Sequence, residues 1–262
     1  MNYDKDAPRA KKSLGQNFLQ DKNIARKIVD LLQAGPQDNV LEIGPGPGML
    51  TGFLQECGPA KLVLVEKDNH WARVRQDDER NGIRPQVILA DALTIPWERF
   101  EGSWKIIGNL PYNVASPLMW DILSMVPGLV RAVFMVQKEV GQRLAAEQGS
   151  SAYGALSVWV QSFSRPRMEF IVPPQVFRPA PKVHSAVLSF EPLPPDARPA
   201  NPDGLSKLLK ICFQQRRKQL GTIFRAAGLD ANGLEQAGIS AELRPERLSS
   251  AQFQKLASCV FN

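Results

Sequence analysis

Short apolar runs alternate with amphipathic helical patterns along the first half of the chain. The apolar runs predict buried strands at residues 40–43, 62–65, 87–90, 105–108 and 132–136. The helical spacing predicts a first helix capped by Asp21 and stopped before Gly35, then helices at 49–56, 69–79, 117–125 and 139–146. Strands that alternate with helices in this way form a parallel sheet covered on both faces, so we predict an α/β domain.

The pattern changes in the second half. Residues 156–163, 168–172 and 185–190 are rich in β-forming residues, and the last two runs could pair as an antiparallel edge. Five prolines between Pro192 and Pro202 exclude a helix or a central strand, so 193–202 is predicted to be a linker. Helical patterns return at 205–213, 219–227 and 251–260. We therefore predict a Rossmann-like α/β domain over residues 1–192 and a small all-α domain over 203–262.

Composition narrows the class of protein. Hydrophobic residues make up 44% of the 262 residues and charged residues 22%, as in a soluble globular protein. No stretch approaches the ~18 apolar residues of a membrane span, and residues 1–12 contain no apolar segment of a secretory signal. The three cysteines are far apart and there are two histidines, so we expect a cytoplasmic protein with no disulfide framework and no metal site.

Positive charge is unevenly distributed. The net charge is +6 and the sequence pI about 9.3. Residues 204–229 hold six basic residues and no acidic one. Further basic residues precede the first helix and flank the run at 168–172. Any one cluster could be a solvated basic face, but three together favour a nucleic-acid partner.

A glycine-rich loop follows the first predicted strand, with the sequence Glu42-Ile43-Gly44-Pro45-Gly46-Pro47-Gly48. A phosphate-binding P-loop needs Gly-Lys-Ser/Thr at its end, and a dinucleotide fingerprint needs Gly or Ala where Met49 stands. The pattern of S-adenosylmethionine-dependent methyltransferases, Glu-x-Gly-x-Gly-x-Gly, fits throughout. The alternative is a purely structural turn between strand and helix.

Two more acidic residues lie at strand ends and favour the cofactor interpretation. Glu66 ends the second predicted strand, where a carboxylate can accept hydrogen bonds from ribose hydroxyls. Asp91 ends the third, where it can accept from an adenine amino group. Each could instead be a helix cap or a solvent contact, but both are in phase with the glycine loop.

The fourth predicted strand ends in the tetrapeptide Asn109-Leu110-Pro111-Tyr112. It resembles the motif of amino methyltransferases that act on exocyclic amines of adenine or cytosine. The lone pair of such an amine is delocalised into the ring. An Asn oxygen and a backbone carbonyl can accept both amine hydrogens, which favours a tetrahedral, nucleophilic nitrogen. Pro111 fixes the turn, and the Tyr112 ring can stack on a flipped base.

With further segments, the whole chain resembles the small-subunit ribosomal RNA adenine dimethyltransferase family. The matching segments are residues 11–19, the glycine loop, 109–113, 137–140, 153–158, 172–183 and 213–218. The resemblance implies dimethylation of two adjacent adenosines near the 3′ end of the small-subunit RNA, with S-adenosylmethionine as donor and no metal. It also implies an immature ribosomal subunit as partner, and we expect a monomer.

The resemblance assigns roles to individual positions. Cofactor contacts are expected from Asn17, Leu19, Gly44, Gly46, Glu66, Asp91, Ala92 and Asn109. The catalytic set is Asn109, Leu110, Pro111, Tyr112 and Phe177, where Phe177 would form the second face of a base sandwich with Tyr112. RNA contacts are expected from Lys11, Lys12, Arg216, Arg217 and Lys218.

Two departures and two alternatives accompany this assignment. Pro47 stands where Leu is common and stiffens the loop, and His184 stands where Asp is usual, for which the sequence offers no explanation. The nearest alternative enzyme is the antibiotic-resistance dimethylase that modifies one adenosine of the large-subunit RNA. The other alternative is a non-catalytic RNA-binding assembly factor with the same fold.

Overall fold

The computed structural model describes residues 15–111 and 114–261. Its strands are β1 Phe18–Leu19, β2 Asn39–Ile43, β3 Lys61–Glu66, β4 Gln86–Leu89, β5 Trp104–Asn109, β6 Leu129–Gln137, β7 Ser164–Val172, β8 Phe177–Arg178 and β9 Ser185–Pro192. Its helices are α1 Lys22–Leu32, α2 Met49–Glu56, α3 Asn69–Gln76, α4 Ala115–Met125, α5 Lys138–Leu144, α6 Ala155–Phe163, α7 Pro202–Gln214, α8 Leu220–Ala227, α9 Asn232–Ala237 and α10 Ser250–Val260.

Seven strands form one sheet in the order β4-β3-β2-β5-β6-β9-β7. The neighbours β4, β3, β2, β5 and β6 pair in parallel, so the ends of their ladders lie at one edge. The sheet is mostly parallel with an antiparallel strand, which confirms the predicted fold class. A separate two-stranded ribbon joins β1 and β8, with Phe18 opposite Arg178 and Leu19 opposite Phe177.

Contacts divide the chain into two compact units. The first contains the residues up to Leu118 together with Val126–Lys138 and Met168–Ser189. In it, α1 begins at Asp21, whose side chain accepts from the backbone N–H groups of Asn23 and Ile24. One face of α1, including Ile28 and Leu32, is fully buried against the core of the sheet.

The second unit contains Met119–Met125, Glu139–Arg167 and Phe190–Asn262. Its core contains two stacked indoles, those of Trp120 and Trp159, whose ring centroids are 4.0 Å apart. The buried Tyr153 hydroxyl donates to the Leu248 carbonyl at 3.0 Å. The middle helices therefore share a core with the C-terminal ones, whereas the predicted chain division ran at residue 192.

The sequence pattern predicted most elements to within a few residues, and one prediction is wrong. Residues 156–163, expected to be a strand, lie in helix α6. Ser157 accepts from the Gly154 N–H at the start of this helix, and most of its residues are buried. A helix that is apolar on nearly all sides loses the 3.6-residue period, so its valines resemble a strand. In the part of the chain that the structure describes, no helix is long and apolar enough to cross a membrane.

Candidate active site

A cavity opens where the parallel strands β4, β3, β2 and β5 end, within the first unit. The empty space in and around it, open solvent at the mouth included, is about 930 Å³. The residues that line it come from the N-terminal segment and from the loops after the four strands: Gly15, Gln16, Asn17, Phe18, Ile43, Gly44, Gly46, Val65, Glu66, Lys67, Ala90, Asp91, Ala92, Asn109, Leu110, Pro111, Val114 and Leu118. Ligands of open α/β sheets bind at this edge.

The glycine loop forms the wall of the cavity after β2. Gly44 and Gly46 have φ of 66° and 50°, in the left-handed region that favours glycine. A side chain at position 46 would also meet the Phe18 ring, whose Cε1 lies 3.0 Å from the Cβ position, while the space beside Gly44 is open. The loop backbone can therefore approach a bound ligand at Gly44 without obstruction.

Glu66, at the end of β3, holds the glycine loop through its carboxylate. It is 6% exposed, and Oε2 accepts from the Gly46 N–H at 3.0 Å while Oε1 accepts from the Asp68 N–H at 2.8 Å. Burial raises the pKa of Glu66, and these backbone hydrogen bonds act in the opposite direction. Each carboxylate oxygen can accept a second hydrogen bond, so ribose hydroxyls remain possible donors.

Asp91 lies in the cavity wall after β4 and pairs with Lys67, which sequence reasoning missed. Lys67 Nζ is 2.6 Å from Asp91 Oδ2, and Asp91 Oδ1 accepts from the Leu93 N–H at 3.1 Å. The bond from Lys67 lowers the pKa of Asp91 below its usual range. Asp91 therefore caps the short helical turn that follows it, as the alternative predicted, and it also lines the cavity. The sequence signal that could have identified Lys67 is its position directly after Glu66, at the end of β3.

Asn109 ends β5 and is held by the N-terminal segment. Its Nδ2 donates to the Asn17 carbonyl at 3.0 Å, which leaves Oδ1 as the side-chain atom that can accept from a ligand. Leu110 and Pro111 line the same cavity, and the Leu110 N–H donates to the Met135 carbonyl at 3.0 Å. Tyr112, the fourth residue of the tetrapeptide, lies outside the described residues.

Leu19 and Phe177 lie in the core instead of the cavity. They are opposite each other in the β1–β8 ribbon and are 4% and 2% exposed. Both belong to the apolar cluster under the sheet. Neither residue is among those that line the cavity. Phe18, which precedes Leu19 and lines the cavity, was missed from the sequence, and its ring packs edge-on against Trp71 with centroids 5.6 Å apart.

The predicted RNA-contact residues differ in their surroundings. Arg217 and Lys218 are exposed at the end of α7. Arg216 is half-buried, donating from Nη1 to the Ser151 carbonyl at 2.8 Å and from Nη2 to the Ser150 carbonyl at 3.1 Å. Its Nε also lies 3.6 Å from Glu246 Oε2. Lys11 and Lys12 lie outside the described residues.

A family profile described as "Ribosomal RNA adenine dimethylase" matches residues 7–260. The chain belongs to the ribosomal RNA adenine dimethylase family. The predicted family and the predicted enzyme class, an S-adenosylmethionine-dependent rRNA adenine dimethyltransferase, are confirmed.

Relatives within this family cover nearly the whole chain. A protein of Oleidesulfovibrio alaskensis named "Ribosomal RNA small subunit methyltransferase A" is 62% identical, over 97% of this chain and 92% of its own length. Proteins of the same name from Nitratidesulfovibrio vulgaris and Geobacter metallireducens are 55% and 40% identical; the alignments cover 97% of this chain and 97% of the first protein, and 96% of this chain and 96% of the second.

Two solved structures share the fold. A dimethyladenosine transferase from Plasmodium falciparum superposes with a TM-score of 0.78 at 27% identity, covering 91% of this chain and 95% of that one. The 23S rRNA methyltransferase ErmE superposes with a TM-score of 0.69 at 22% identity, covering 94% of this chain and 100% of that one. The second likeness shows the fold alone, so it does not argue for the large-subunit substrate.

Proposed function

We propose that this chain dimethylates two adjacent adenosines near the 3′ end of the small-subunit ribosomal RNA, using S-adenosylmethionine. The observation that carries the proposal is the Asn109 amide. Its nitrogen is engaged by the Asn17 carbonyl, so its oxygen remains as an acceptor beside the cavity that also contains Glu66 and Asp91. The names of relatives 40–62% identical favour the small-subunit RNA over the large-subunit alternative.

The residues of the cavity fit the donor. Gly44 leaves open space where a side chain would stand, and Glu66 and Asp91 are carboxylates 25 positions apart at neighbouring strand ends. Glu66 would accept from the ribose hydroxyls and Asp91 from the adenine amino group. Asn17, Gly46 and Ala92 would supply the remaining contacts from the cavity wall. S-adenosylmethionine, when bound, supplies a methyl group activated by its sulfonium.

The tetrapeptide would prepare the target amine. The Asn109 oxygen and the Leu110 carbonyl would accept its two hydrogens, so that the lone pair points at the methyl group. Pro111 has a fixed φ and sets the direction of this turn. Tyr112 would give a stacking face for the flipped adenine, worth roughly 1–3 kcal/mol. Phe177, whose ring is 2% exposed in this structure, is proposed as the second face of the base sandwich.

RNA would be held by exposed cations and not by the cavity. Arg217 and Lys218, which are exposed in the turn between α7 and α8, are proposed as phosphate contacts, and Lys11 and Lys12 as further contacts. We propose an immature small subunit as the substrate particle and a monomer as the active form. A scaffold role in assembly is compatible with this activity, and a transfer assay distinguishes the enzyme from a purely non-catalytic factor.

Methyl transfer to separated ribosomal particles tests the proposal. With S-adenosylmethionine labelled in its methyl group, we expect label in the RNA of immature small subunits, as N6,N6-dimethyladenosine at two adjacent positions. Asn109→Ala should slow the transfer by roughly 10²- to 10³-fold, the effect of deleting one positioned polar group at a reacting centre.

A matched amide deletion controls for folding. Asn39→Ala removes an exposed bond from Asn39 Nδ2 to the Ser103 carbonyl, 3.0 Å long, at the start of β2 and away from the cavity. It should leave the rate unchanged. Label in large-subunit RNA would instead support the resistance enzyme, and absence of transfer to either RNA would support the binding factor.

A further inference from the structure

Behind the glycine loop lies a charged cluster that the proposed function does not use. Arg75, near the end of α3, is 6% exposed, and its Nη1 pairs with the Asp78 carboxylate. Asp78 Oδ1 also accepts from Arg80 Nε at 3.0 Å. We call Arg75, Asp78 and Arg80 the arginine clamp. Burying the Arg75 guanidinium is unfavourable unless it is paired, so its position calls for an explanation.

The clamp occupies the space that two glycines leave open. A Cβ atom at Gly48, whose φ is 86°, would lie 1.8 Å from Arg75 Nη1. A Cβ atom at Gly52 would lie 2.9 Å from Arg80 Nη1. The Gly52 N–H donates to the Gly48 carbonyl at 3.1 Å, so both glycines stand on one face of the first turn of α2. Each arginine therefore occupies the space that a side chain at Gly48 or Gly52 would need.

Two further contacts connect the clamp with the loop and α2. The fully buried Gln55 of α2 donates from Nε2 to the Asp78 carbonyl at 2.6 Å and to the Ile83 carbonyl at 3.0 Å. Glu42, the acidic residue that precedes the glycines, accepts from Thr51 Oγ1 at 2.6 Å. Burial raises the pKa of Glu42, and the positive charge of Arg75 acts in the opposite direction. The clamp therefore packs against Gly48 and Gly52 at the start of α2, and its positive charge acts on Glu42 at the start of the glycine loop.

We infer that the arginine clamp fixes the glycine loop and the first turn of α2 in the shape that receives S-adenosylmethionine, with Arg75 as a positioning residue. Gly44 and Gly46 line the cavity, whereas the clamp contacts the loop two residues further along the chain, at Gly48. The Gly48 N–H donates to the Pro45 carbonyl at 2.9 Å, so displacement of Gly48 would move the cavity wall. The inference rests on the proposed function, because it assumes that this cavity binds the methyl donor.

Removal of the guanidinium should weaken cofactor binding alone. We expect Arg75→Leu to raise the Kd and KM for S-adenosylmethionine about tenfold, while kcat and the KM for RNA change by less than about twofold. Arg75→Lys keeps a charge next to Asp78 without the planar fork, so its effect should be intermediate. This variant also allows the test if Arg75→Leu does not fold.

The decisive experiment is a double-mutant cycle between Gly48→Ala and Arg75→Leu, with cofactor affinity measured by calorimetry. In the wild-type background Gly48→Ala should weaken binding roughly 30-fold or more, because alanine collides with a held guanidinium. In the Arg75→Leu background the same change should weaken it no more than about fivefold, since only the backbone strain remains. Gly58→Ala is the control for the strain of an alanine at positive φ without any collision. Gly58 follows the same helix with φ 63° and has no atom within 4 Å of its Cβ position.

The outcomes separate the clamp from the proposed function. Additive losses in the cycle, or an Arg75→Leu variant that binds the cofactor as the wild type does, would overturn the clamp while the wild type still binds S-adenosylmethionine. Failure of the wild type to bind S-adenosylmethionine would overturn the proposed function and the clamp together. A loss from Gly48→Ala that is clearly smaller in the Arg75→Leu background than in the wild type supports both.

Discussion

The cavity of the first unit and the basic surface at the turn between α7 and α8 use charged residues in opposite ways. Around the cavity, Glu42, Glu66 and Arg75 are buried, and each is held by a particular neighbour. On the helical surface, Arg217 and Lys218 are exposed, in a stretch of sequence with no acidic residue. Charges interact strongly in a low-dielectric interior and are screened in water, so single substitutions should matter in the first region and only collective ones in the second.

The same contrast separates neighbours in the sequence. Arg216 and Arg217 are adjacent, yet Arg216 donates to two backbone carbonyls while Arg217 is exposed. Equal formal charge therefore does not imply equal function. The following variants test this difference between buried and exposed charges, from the largest expected effect to the smallest.

Glu42→Gln should change how stability depends on pH. Burial raises the pKa of Glu42 to about 7 from its ordinary value of 4.5, so the folded state resists ionisation. Wild-type stability should fall as pH rises from about 4.5 to 7 and stay level above. The total is at most about 3 kcal/mol, at 1.36 kcal/mol per pKa unit. Glu42→Gln, which can still accept from Thr51, should flatten this fall.

Urea unfolding at pH 5 and pH 8 measures the effect, with the exposed Glu79→Gln as the matched control. If Glu42→Gln and Glu79→Gln both show the pH dependence of the wild type, the predicted difference between buried and exposed charges is wrong.

Glu66→Gln should weaken S-adenosylmethionine binding by roughly 10- to 100-fold. Hydrogen bonds to a charged acceptor contribute about 1.5–3 kcal/mol, and the amide would also present an N–H to a backbone donor. Calorimetry checks this against Glu56→Gln, an exposed acid of α2 that pairs with Arg26 at 2.9 Å. Equal affinity for Glu66→Gln and Glu56→Gln would remove Glu66 from the ribose role.

Arg217→Gln combined with Lys218→Gln should lower RNA affinity and its salt dependence without changing the melting temperature. The slope of log affinity against log salt should fall by about 1.4–1.8, or 0.7–0.9 per phosphate contact. Arg216→Gln is the matched comparison, because it loses bonds to the Ser150 and Ser151 carbonyls and should lower the melting temperature by a few degrees. A wild-type slope in the double variant would show that this surface is only solvated.

Local patterns in the sequence determined the elements of the α/β unit and most of the cavity. The period of apolar residues indicated the parallel strands, and glycines with positive φ are needed where the loop turns. Glu66 and Asp91 were identified because parallel strands end at one edge of a sheet, so position in a strand determines position in space. Asn109 was identified through the resemblance of its tetrapeptide to the motif of amino methyltransferases. These properties depend on near neighbours and on the sheet as a whole.

The tertiary structure alone decided which side chains are buried and what they contact. It placed Phe177 in the core, made a helix of residues 156–163, joined Asn109 to Asn17, and fitted Arg75 against Gly48. Asn17 and Asn109 are 92 positions apart, and no periodicity connects them. Burial and pairing of this kind depend on contacts between residues that are distant in the sequence. The residue type alone therefore does not distinguish the exposed Arg217 from Arg75, which is buried beside the glycine loop.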